Sequence, residues 1–174
     1  MEKEQVILVD ENDNPIGVMG KMEVHRKGLL HRAVSVFIFN SDGKWLIQQR
    51  DTRKYHSGGL WSNAACSHPR PGENNCDTAE RRLKEEMGLD VRLTEIFHFT
   101  YRAEFSDQLT EHELDHIFIG YSDMQPEIDP VEAMDWSYLS SDELLGDIAV
   151  SPEKYSIWFR LLTPKVFEYL KPKL

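Results

Sequence analysis

This sequence has few cysteines and no long apolar run, and both absences limit what kind of protein it is. Two cysteines among 174 residues cannot form a disulfide framework, which is typical of a protein from a reducing cytosol. No apolar run approaches the roughly 20 residues that a membrane-spanning helix needs. The first residues also lack the order of a secretory signal peptide. We therefore expect a cytoplasmic protein that has no membrane partner.

Basic residues are also in short supply. The chain has 20 Lys and Arg against 30 Asp and Glu, which gives a formal net charge of −10 at pH 7. This acidic excess argues against a nucleic-acid partner, and it means that an anionic substrate needs locally placed cations or metal ions. No repeat, low-complexity tract or linker divides the sequence, so residues 1–174 are predicted to form one domain.

Short segments of alternating or apolar character predict a β-sheet. The predicted strands are residues 5–9, 31–39, 45–50, 91–105, 111–121 and 134–139. Asp42-Gly43 is a hairpin signal between the second and third of these segments, whereas residues 21–30 are polar and are expected to be irregular. With the helices described next, the strands predict the α/β class, or α+β by stricter usage, with helices packed on a mixed sheet.

A central helix is predicted between Asp77 and Gly88. Asp77 and Glu80 have the form of a capping box, and Gly88 is a helix stop. Apolar residues recur every four positions in between and predict a buried stripe, formed by Ala79, Leu83 and Met87. Charged residues on neighbouring faces form two pairs at the same spacing, Arg81 with Glu85 and Arg82 with Glu86.

Two further helices are predicted near the end of the sequence. Ser140 and Glu143 have capping-box spacing. Ser151-Pro152 supplies a cap and a first-turn proline for the last helix. Pro164 is expected to kink or interrupt that helix.

The stretch from residue 59 to 89 resembles a known family. It contains most positions of the Nudix box, a loop–helix–loop motif that binds metal and diphosphate, at Glu73, Arg81, Leu83, Glu85, Glu86, Gly88 and Leu89. Ser67 and Arg82 depart from the hydrolase pattern, in which a glycine and a glutamate stand. These departures and the string NAACSHP at 63–69 resemble the type I isopentenyl-diphosphate isomerases. The resemblance covers nearly the whole chain. It implies a Nudix fold and isomerisation, rather than hydrolysis, of a small allylic or homoallylic diphosphate.

The resemblance also implies a metal site. Its ligands would be three imidazoles and two carboxylates, His25, His31, His68, Glu111 and Glu113. Such a set suits Mn²⁺, Mg²⁺ or Zn²⁺, and the two glutamates leave the same face of a predicted strand. The residues alone leave a plainer interpretation open, because alternating charge on a strand is usually a solvated face. The remaining histidines, His56, His98, His112 and His116, have no assigned role.

The diphosphate would be neutralised by cations in an otherwise acidic protein. The candidates are Lys21, Arg50, Lys54 and Arg82. A Mg²⁺ ion held by Glu86 would bridge diphosphate oxygens. From the spacing alone, a surface ion pair with Glu86 is the better interpretation of Arg82.

Moving a double bond through a carbocation needs an acid and a base on opposite faces of the substrate. The resemblance implies that Cys66 and Glu113 take these roles and that Tyr101 assists the glutamate. Trp158 and Trp61 would shield the cation from water. A lone cysteine is otherwise a small buried hydrophobe, and Trp158 also fits a helix core. The Cys66 thiol is expected to titrate more readily than usual beside His68, a metal and basic side chains, whereas Cys76 is interpreted as structural.

Two other functions stay open at this point. A Nudix hydrolase of nucleoside or other diphosphates would carry a glutamate where Arg82 stands. A non-enzymatic Nudix-fold binding module would tolerate loss of Cys66, Glu113 or a metal histidine, all of which are present. We expect the chain to act as a monomer or weak dimer.

Overall fold

The computed structural model describes residues 4–171, and its strands form one mixed sheet. In the described part of the chain the nine strands are β1 (Gln5–Val9), β2 (Pro15–Gly20), β3 (His31–Phe39), β4 (Trp45–Arg50), β5 (Trp61–Ser62), β6 (Ala65–Ser67), β7 (Thr94–Glu104), β8 (Thr110–Tyr121) and β9 (Ala133–Leu139). The helices are α1 (Lys21–Lys27), α2 (Asn75–Met87), α3 (Ser141–Val150) and α4 (Ile157–Leu170), with a 3₁₀ turn at Pro152–Lys154.

Strand β3 is the centre of this sheet. One of its edges pairs in parallel with β8 over its whole length, from His31 opposite Glu113 to Phe39 opposite Tyr121. Its other edge pairs antiparallel with β1 at the beginning, with β6 in the middle and with β4 at the end. Strands β7 and β9 extend the sheet beside β8 and β4. The parallel register places the first residues of β3 and β8 side by side.

Apolar side chains cover both faces of β3, so helices pack on both sides of the sheet. Phe37 and Phe39 belong to a core cluster that also contains Trp158 and Phe159 of α4. The alternate residues belong to a second cluster with α2 and comprise Val34, Val36 and Ile38. The predicted stripe of α2 lies in this second cluster, where Ala79, Leu83 and Met87 are fully buried. The predicted α+β class, a mixed sheet with helices on it, is thereby confirmed.

Helix α2 begins earlier than its sequence pattern predicts. Its cap is Asn74, whose side chain accepts a hydrogen bond of 2.8 Å from the backbone N–H of Asp77. Glu80 does not close a capping box; its carboxylate accepts the backbone N–H of Leu93 at 3.0 Å. The predicted end is confirmed, because Gly88 has the left-handed φ of 67° that glycine adopts without strain.

The expectation of an irregular segment at residues 21–30 is wrong. Lys21–Lys27 forms helix α1, which ends at Gly28 with a left-handed φ of 66°. Only Val24 and His25 of this helix are buried. Two buried side chains on seven residues are too few to produce a helical hydrophobic period, which explains why the pattern gave no sign of this helix.

The end of the chain differs from its predicted form in two respects. The Ser140 capping box is confirmed, but Ser151-Pro152 opens only the 3₁₀ turn, and the last helix begins after Ser156. Pro164 lies inside α4 without ending it. A proline removes only one hydrogen bond of the helix, and the buried apolar face on both sides of it holds the helix together. In residues 4–171 no helix is long and apolar enough to cross a membrane.

An ion pair between Glu73 and Arg81 links the loop before α2 to the helix, and its contribution to the stability of the fold depends on pH. Burial raises the pKa of the Glu73 carboxyl, but hydrogen bonds from Arg81, Thr78 and the Arg70 N–H outweigh it and hold the pKa at about 2. A pKa below the ordinary value of 4.5 means that the pair stabilises the fold fully above about pH 4.5. This contribution is lost as the pH falls towards 2.

We predict that Glu73→Gln lowers the free energy of unfolding by about 1–2 kcal/mol at pH 7, after allowance for partial exposure. The difference from the wild type should shrink as urea unfolding is repeated down to pH 3. Glu85→Gln is the matched control, because Glu85 also pairs with Arg81 but its side chain is 43% exposed, against 18% for Glu73. A deficit that stays constant with pH, or an equal loss in the control, would contradict this role of Glu73.

Candidate active site

A cavity of about 560 Å³ opens where β3 and β8 begin. It is lined by side chains from the strands, from the loop that follows β4 and from helices α2 and α4. Ten of the predicted site residues line it: Lys21, Arg50, Lys54, Cys66, His68, Arg82, Glu86, Glu111, Glu113 and Trp158. His25 and His31 lie fully buried beside it, and Tyr101 reaches it through Glu113. The fold therefore brings all predicted residues except Trp61 to one site.

Two buried carboxylates of β8 organise one wall of the cavity. Glu111 and Glu113 are two residues apart on the strand, so both side chains leave the same face. The Glu111 Oε1 atom lies 2.6 Å from Nε2 of His25 and 2.7 Å from Nε2 of His56. Buried charges in proteins require such partners, and these imidazoles supply them.

Glu113 has its own partners, which arrive from three different elements. His68 Nε2 lies 2.7 Å from Glu113 Oε2, and His31 Nε2 lies 3.5 Å from the same oxygen. The Tyr101 hydroxyl, from β7, donates a hydrogen bond to the other oxygen. Burial raises the pKa of the Glu113 carboxyl, but the imidazoles of His31 and His68 outweigh it and hold the pKa well below its usual range. Glu113 is therefore an ionised carboxylate in this arrangement.

The imidazoles and carboxylates have the arrangement of a divalent metal site. The potential ligand atoms of His25, His31, His68 and Glu111 all lie within 4.8 Å of one another, and all four residues are buried. Two buried atoms among them, His31 Nε2 and Glu111 Oε2, have no hydrogen-bond partner in the described part of the chain. A nitrogen and oxygen donor set with unsatisfied buried atoms fits a divalent cation. Glu113 adjoins this group through its contacts with His31 and His68.

Cys66 lies on β6 and lines the same cavity. Its Sγ atom lies 3.2 Å from Asn63 Oδ1, 3.1 Å from Trp158 Nε1 and 3.7 Å from Ser35 Oγ. Burial, followed by the carboxyl groups of Asp115 and Glu86, raises the pKa of the thiol to about 12. The expectation that this thiol titrates more readily is therefore wrong, because burial in a site rich in carboxyl groups disfavours the thiolate. Cys66 is a protonated thiol here.

The predicted cations line the cavity, and three of them, Lys21, Lys54 and Arg82, pair with carboxylates. Arg82 lies 3.0 Å from Glu132 and 2.6 Å from Glu85, and its distance to Glu86, the pair predicted from spacing, is 3.5 Å. Lys54 forms an ion pair with the same Glu132. Two of the cations lie over aromatic rings, Lys21 at 4.7 Å from the Tyr55 centroid and Arg50 at 5.0 Å from that of Trp158.

Glu86 is the box glutamate that points into the cavity. Its Oε2 atom is buried and has no hydrogen-bond partner among residues 4–171. Burial raises the pKa of this carboxyl to about 7, an effect that Arg82 opposes and Glu132 reinforces. An under-satisfied buried carboxylate beside an open cavity fits a role as a cation ligand.

Trp158 and Trp61 differ in position. Trp158 lines the cavity and is 4% exposed. Trp61 is not among the lining side chains; it packs against the core cluster of α4 and forms a bridge to Tyr155. Its strand β5 pairs with β4. That Trp61 faces the substrate therefore stays a prediction.

Four residues of the site have no assigned role in the sequence analysis. They are Tyr55, His56, Asn63 and Glu132. Tyr55 and His56 directly follow Lys54 in the loop after β4, and that position is their one signal in the sequence. Glu132 lies in a loop far from the box, so no local pattern marks it. Asn63 is part of the string around Cys66, although neither its type nor its spacing indicates its contacts.

Known proteins match this chain in sequence and in fold. The chain matches the NUDIX domain family over residues 29–159, and a crystal structure of a Deinococcus radiodurans protein superposes with a TM-score of 0.78. That structure is 22% identical and covers 93% of this chain and 98% of its own, a likeness that speaks for the fold alone. The chain belongs to the Nudix domain family.

The most similar relatives narrow the family further. Isopentenyl-diphosphate Delta-isomerase 2 of Aromatoleum aromaticum is 50% identical over 164 residues, which make up 94% of this chain and 87% of that protein. Isopentenyl-diphosphate Delta-isomerase of Pectobacterium atrosepticum is 50% identical over 165 residues, 95% of this chain and 92% of that protein. Within the Nudix family, the chain belongs to the isopentenyl-diphosphate Delta-isomerases.

The buried ligand group leads to a prediction about metal binding. Mn²⁺ should bind in the absence of substrate, and His31→Ala should weaken this binding at least tenfold, because the imidazole is one of four buried side chains whose ligand atoms lie within 4.8 Å of one another. Isothermal titration with Mn²⁺ measures the affinity. His98→Ala is the control, since His98 is exposed on β7 and contacts none of these residues. Undiminished Mn²⁺ affinity in His31→Ala would show that the cluster is held together by hydrogen bonds alone.

Proposed function

We infer that this chain interconverts isopentenyl diphosphate and dimethylallyl diphosphate by protonation and deprotonation through a tertiary carbocation. The observation that supports it most directly is that a protonated thiol, Cys66, and an ionised carboxylate, Glu113, line the same cavity from different strands. The membership of the isomerase family supports it as well. An unactivated alkene has no acidic proton, so base chemistry alone cannot move its double bond.

The two groups divide the reaction between them. The Cys66 S–H gives its proton to the terminal alkene carbon, which forms a C–H bond and leaves the positive charge on the tertiary carbon. Glu113 then takes a proton from the adjacent methylene, and the electrons of that C–H bond become the new double bond. The thiolate and the carboxylic acid return to their starting forms by exchange of one proton. Tyr101 holds the Glu113 carboxylate in place for its step.

The carbocation must be kept from water, which would trap it as an alcohol. Trp158 presents an indole ring to the cavity, and the guanidinium of Arg50 already lies 5.0 Å from its centroid. A ring that accepts one cation in this way is suited to stabilise another. His56 and Phe105 are stacked at 4.6 Å, and His56 meets Trp158 edge to face. These rings form a dry, polarisable wall.

The diphosphate would bind beside the cations that line the cavity. Lys21, Arg50, Lys54 and Arg82 carry four positive charges there. Binding would exchange the ion pairs of Lys54 and Arg82 with Glu132 for charge-assisted hydrogen bonds to phosphate oxygens. Glu86 would hold Mg²⁺ jointly with the diphosphate, consistent with its under-satisfied carboxylate.

A second ion would be held by His25, His31, His68, Glu111 and Glu113. Mn²⁺, Mg²⁺ or Zn²⁺ suits this set of nitrogen and oxygen donors. When bound, the ion supplies a fixed positive charge that keeps the Glu113 carboxylate ionised. We further propose that residues 1–174 form one domain that acts as a monomer or weak dimer. The two free cysteines are consistent with a reducing, cytoplasmic environment.

Comparison of the two cysteines tests the proposed function. Cys66→Ala should abolish conversion of isopentenyl diphosphate, followed by proton NMR with Mg²⁺ and Mn²⁺ present, because a methyl group cannot transfer a proton. Cys76→Ala is the control and should remain near the wild-type rate, since Cys76 lies on α2 away from the cavity and contacts Glu80 and the Leu93 carbonyl. The second cysteine is also half-buried, so the two variants carry similar stability costs.

The same samples separate the isomerase from a diphosphohydrolase. An isomerase yields the dimethylallyl isomer and no inorganic phosphate. Release of phosphate from isopentenyl diphosphate or a nucleoside diphosphate would favour hydrolysis instead. Full isomerase activity in Cys66→Ala would remove the thiol from the mechanism.

A further inference from the structure

The side-chain amide of Asn63 is completely hydrogen-bonded, and its orientation is fixed. The residue is 1% exposed. Its Nδ2 atom donates to the Val36 carbonyl at 3.2 Å and to the Ala65 carbonyl at 2.8 Å. Because both acceptors are backbone carbonyls, which cannot donate, the NH₂ group must lie on that side. The amide oxygen therefore has to point the opposite way.

The amide oxygen faces the Cys66 thiol and the Trp158 indole. Asn63 Oδ1 lies 3.2 Å from Cys66 Sγ and 3.2 Å from Trp158 Nε1. Trp158 Nε1 is itself 3.1 Å from Cys66 Sγ, so the three atoms form a nearly equilateral triangle. An indole N–H can only donate, so the oxygen acts as acceptor at this corner. It is also the nearer of the two acceptors for the thiol proton, since Ser35 Oγ lies 3.7 Å from the sulfur.

This triangle joins elements that are far apart in sequence. Cys66 is on β6 and Trp158 on α4, whereas the Val36 carbonyl that anchors the amide belongs to β3. We propose that Asn63 is a positioning residue that fixes the Cys66 thiol and the Trp158 ring relative to each other. The inference rests on the proposed function, in which Cys66 donates a proton to the substrate and the Trp158 ring stabilises the resulting carbocation.

Loss of the Asn63 contacts is expected to affect turnover more than substrate binding. The thiol proton and the ring must both be positioned to within a fraction of an ångström relative to the substrate carbons, whereas the diphosphate would be held mainly by Lys21, Lys54, Arg82 and Glu86. A misplacement of about 1 Å can cost about 100-fold in rate. Loss of Asn63 should therefore lower kcat and leave KM nearly unchanged. An asparagine that only satisfied backbone carbonyls would affect stability and neither kinetic constant.

The test compares Asn63→Ala with Ser156→Ala by steady-state kinetics on isopentenyl diphosphate. Asn63→Ala should lower kcat about 10- to 100-fold and change KM by less than about threefold. Ser156 is the matched control, because its buried hydroxyl lies 2.9 Å from Ser62 Oγ in the same polar network but contacts neither thiol nor indole. Its alanine variant should lose a similar amount of stability and keep the wild-type kcat. If Asn63→Ala does not fold, Asn63→Leu, which fills the space, should also lower kcat and leave KM nearly unchanged.

A spectroscopic measurement reports on the triangle directly. The indole N–H resonance of Trp158, assigned by its absence in Trp158→Phe, should move in the Asn63 variant and stay in place in Ser156→Ala. An unchanged resonance together with a wild-type kcat would overturn the proposal. The Cys66→Ala variant distinguishes failure of this proposal from failure of the proposed function. If only the positioning role of Asn63 is wrong, Cys66→Ala is still inactive. If the thiol has no catalytic role, Cys66→Ala is active as well.

Discussion

Burial of two carboxylates, Glu111 and Glu113, on one face of β8 is the constraint from which the rest of the site follows. Two negative charges removed from water would cost several kcal/mol each without partners. The fold meets this cost by bringing histidines from four separate places to the same strand. The parallel register of β3 and β8 sets His31 beside Glu113, and the short helix α1 sets His25 against Glu111. Each carboxylate is a partner of two imidazoles, Glu111 of His25 and His56, and Glu113 of His31 and His68.

The cavity provides two different environments for proton transfer. The imidazoles keep Glu113 ionised, whereas burial keeps the Cys66 thiol protonated. Groups whose environments push their pKa values apart are suited to act as base and acid at the same pH. The overall charge of −10 adds a second requirement, because an anionic substrate is repelled by the protein as a whole. In the proposed function the cations that line the cavity meet this requirement locally, and phosphate oxygens would replace the carboxylate that now pairs with Lys54 and Arg82.

Much of this could be predicted from the sequence because its signals are local. The apolar stripe of α2, its glycine stop and the alternation in β3 depend on neighbouring residues only. The resemblance implies ten of the residues that line the cavity. What the sequence cannot supply depends on contacts between distant segments. His56 meets Glu111 across 55 positions, and Asn63 meets Trp158 across 95. Trp61 is close to Cys66 in sequence, but it is not among the side chains that line the cavity.

The central claim is that solvent-exchangeable protons enter and leave the substrate through two separate groups that line one cavity, Cys66 and Glu113. Incubation of isopentenyl diphosphate with the protein in D₂O, followed by mass spectrometry and NMR of the product, measures this most directly. A thiol exchanges with solvent, so deuterium should appear in a methyl group of dimethylallyl diphosphate, and the diphosphate should remain intact. Product that forms without deuterium would mean that the hydrogen migrates within the substrate, and it would contradict the assignment of an acid and a base to this site.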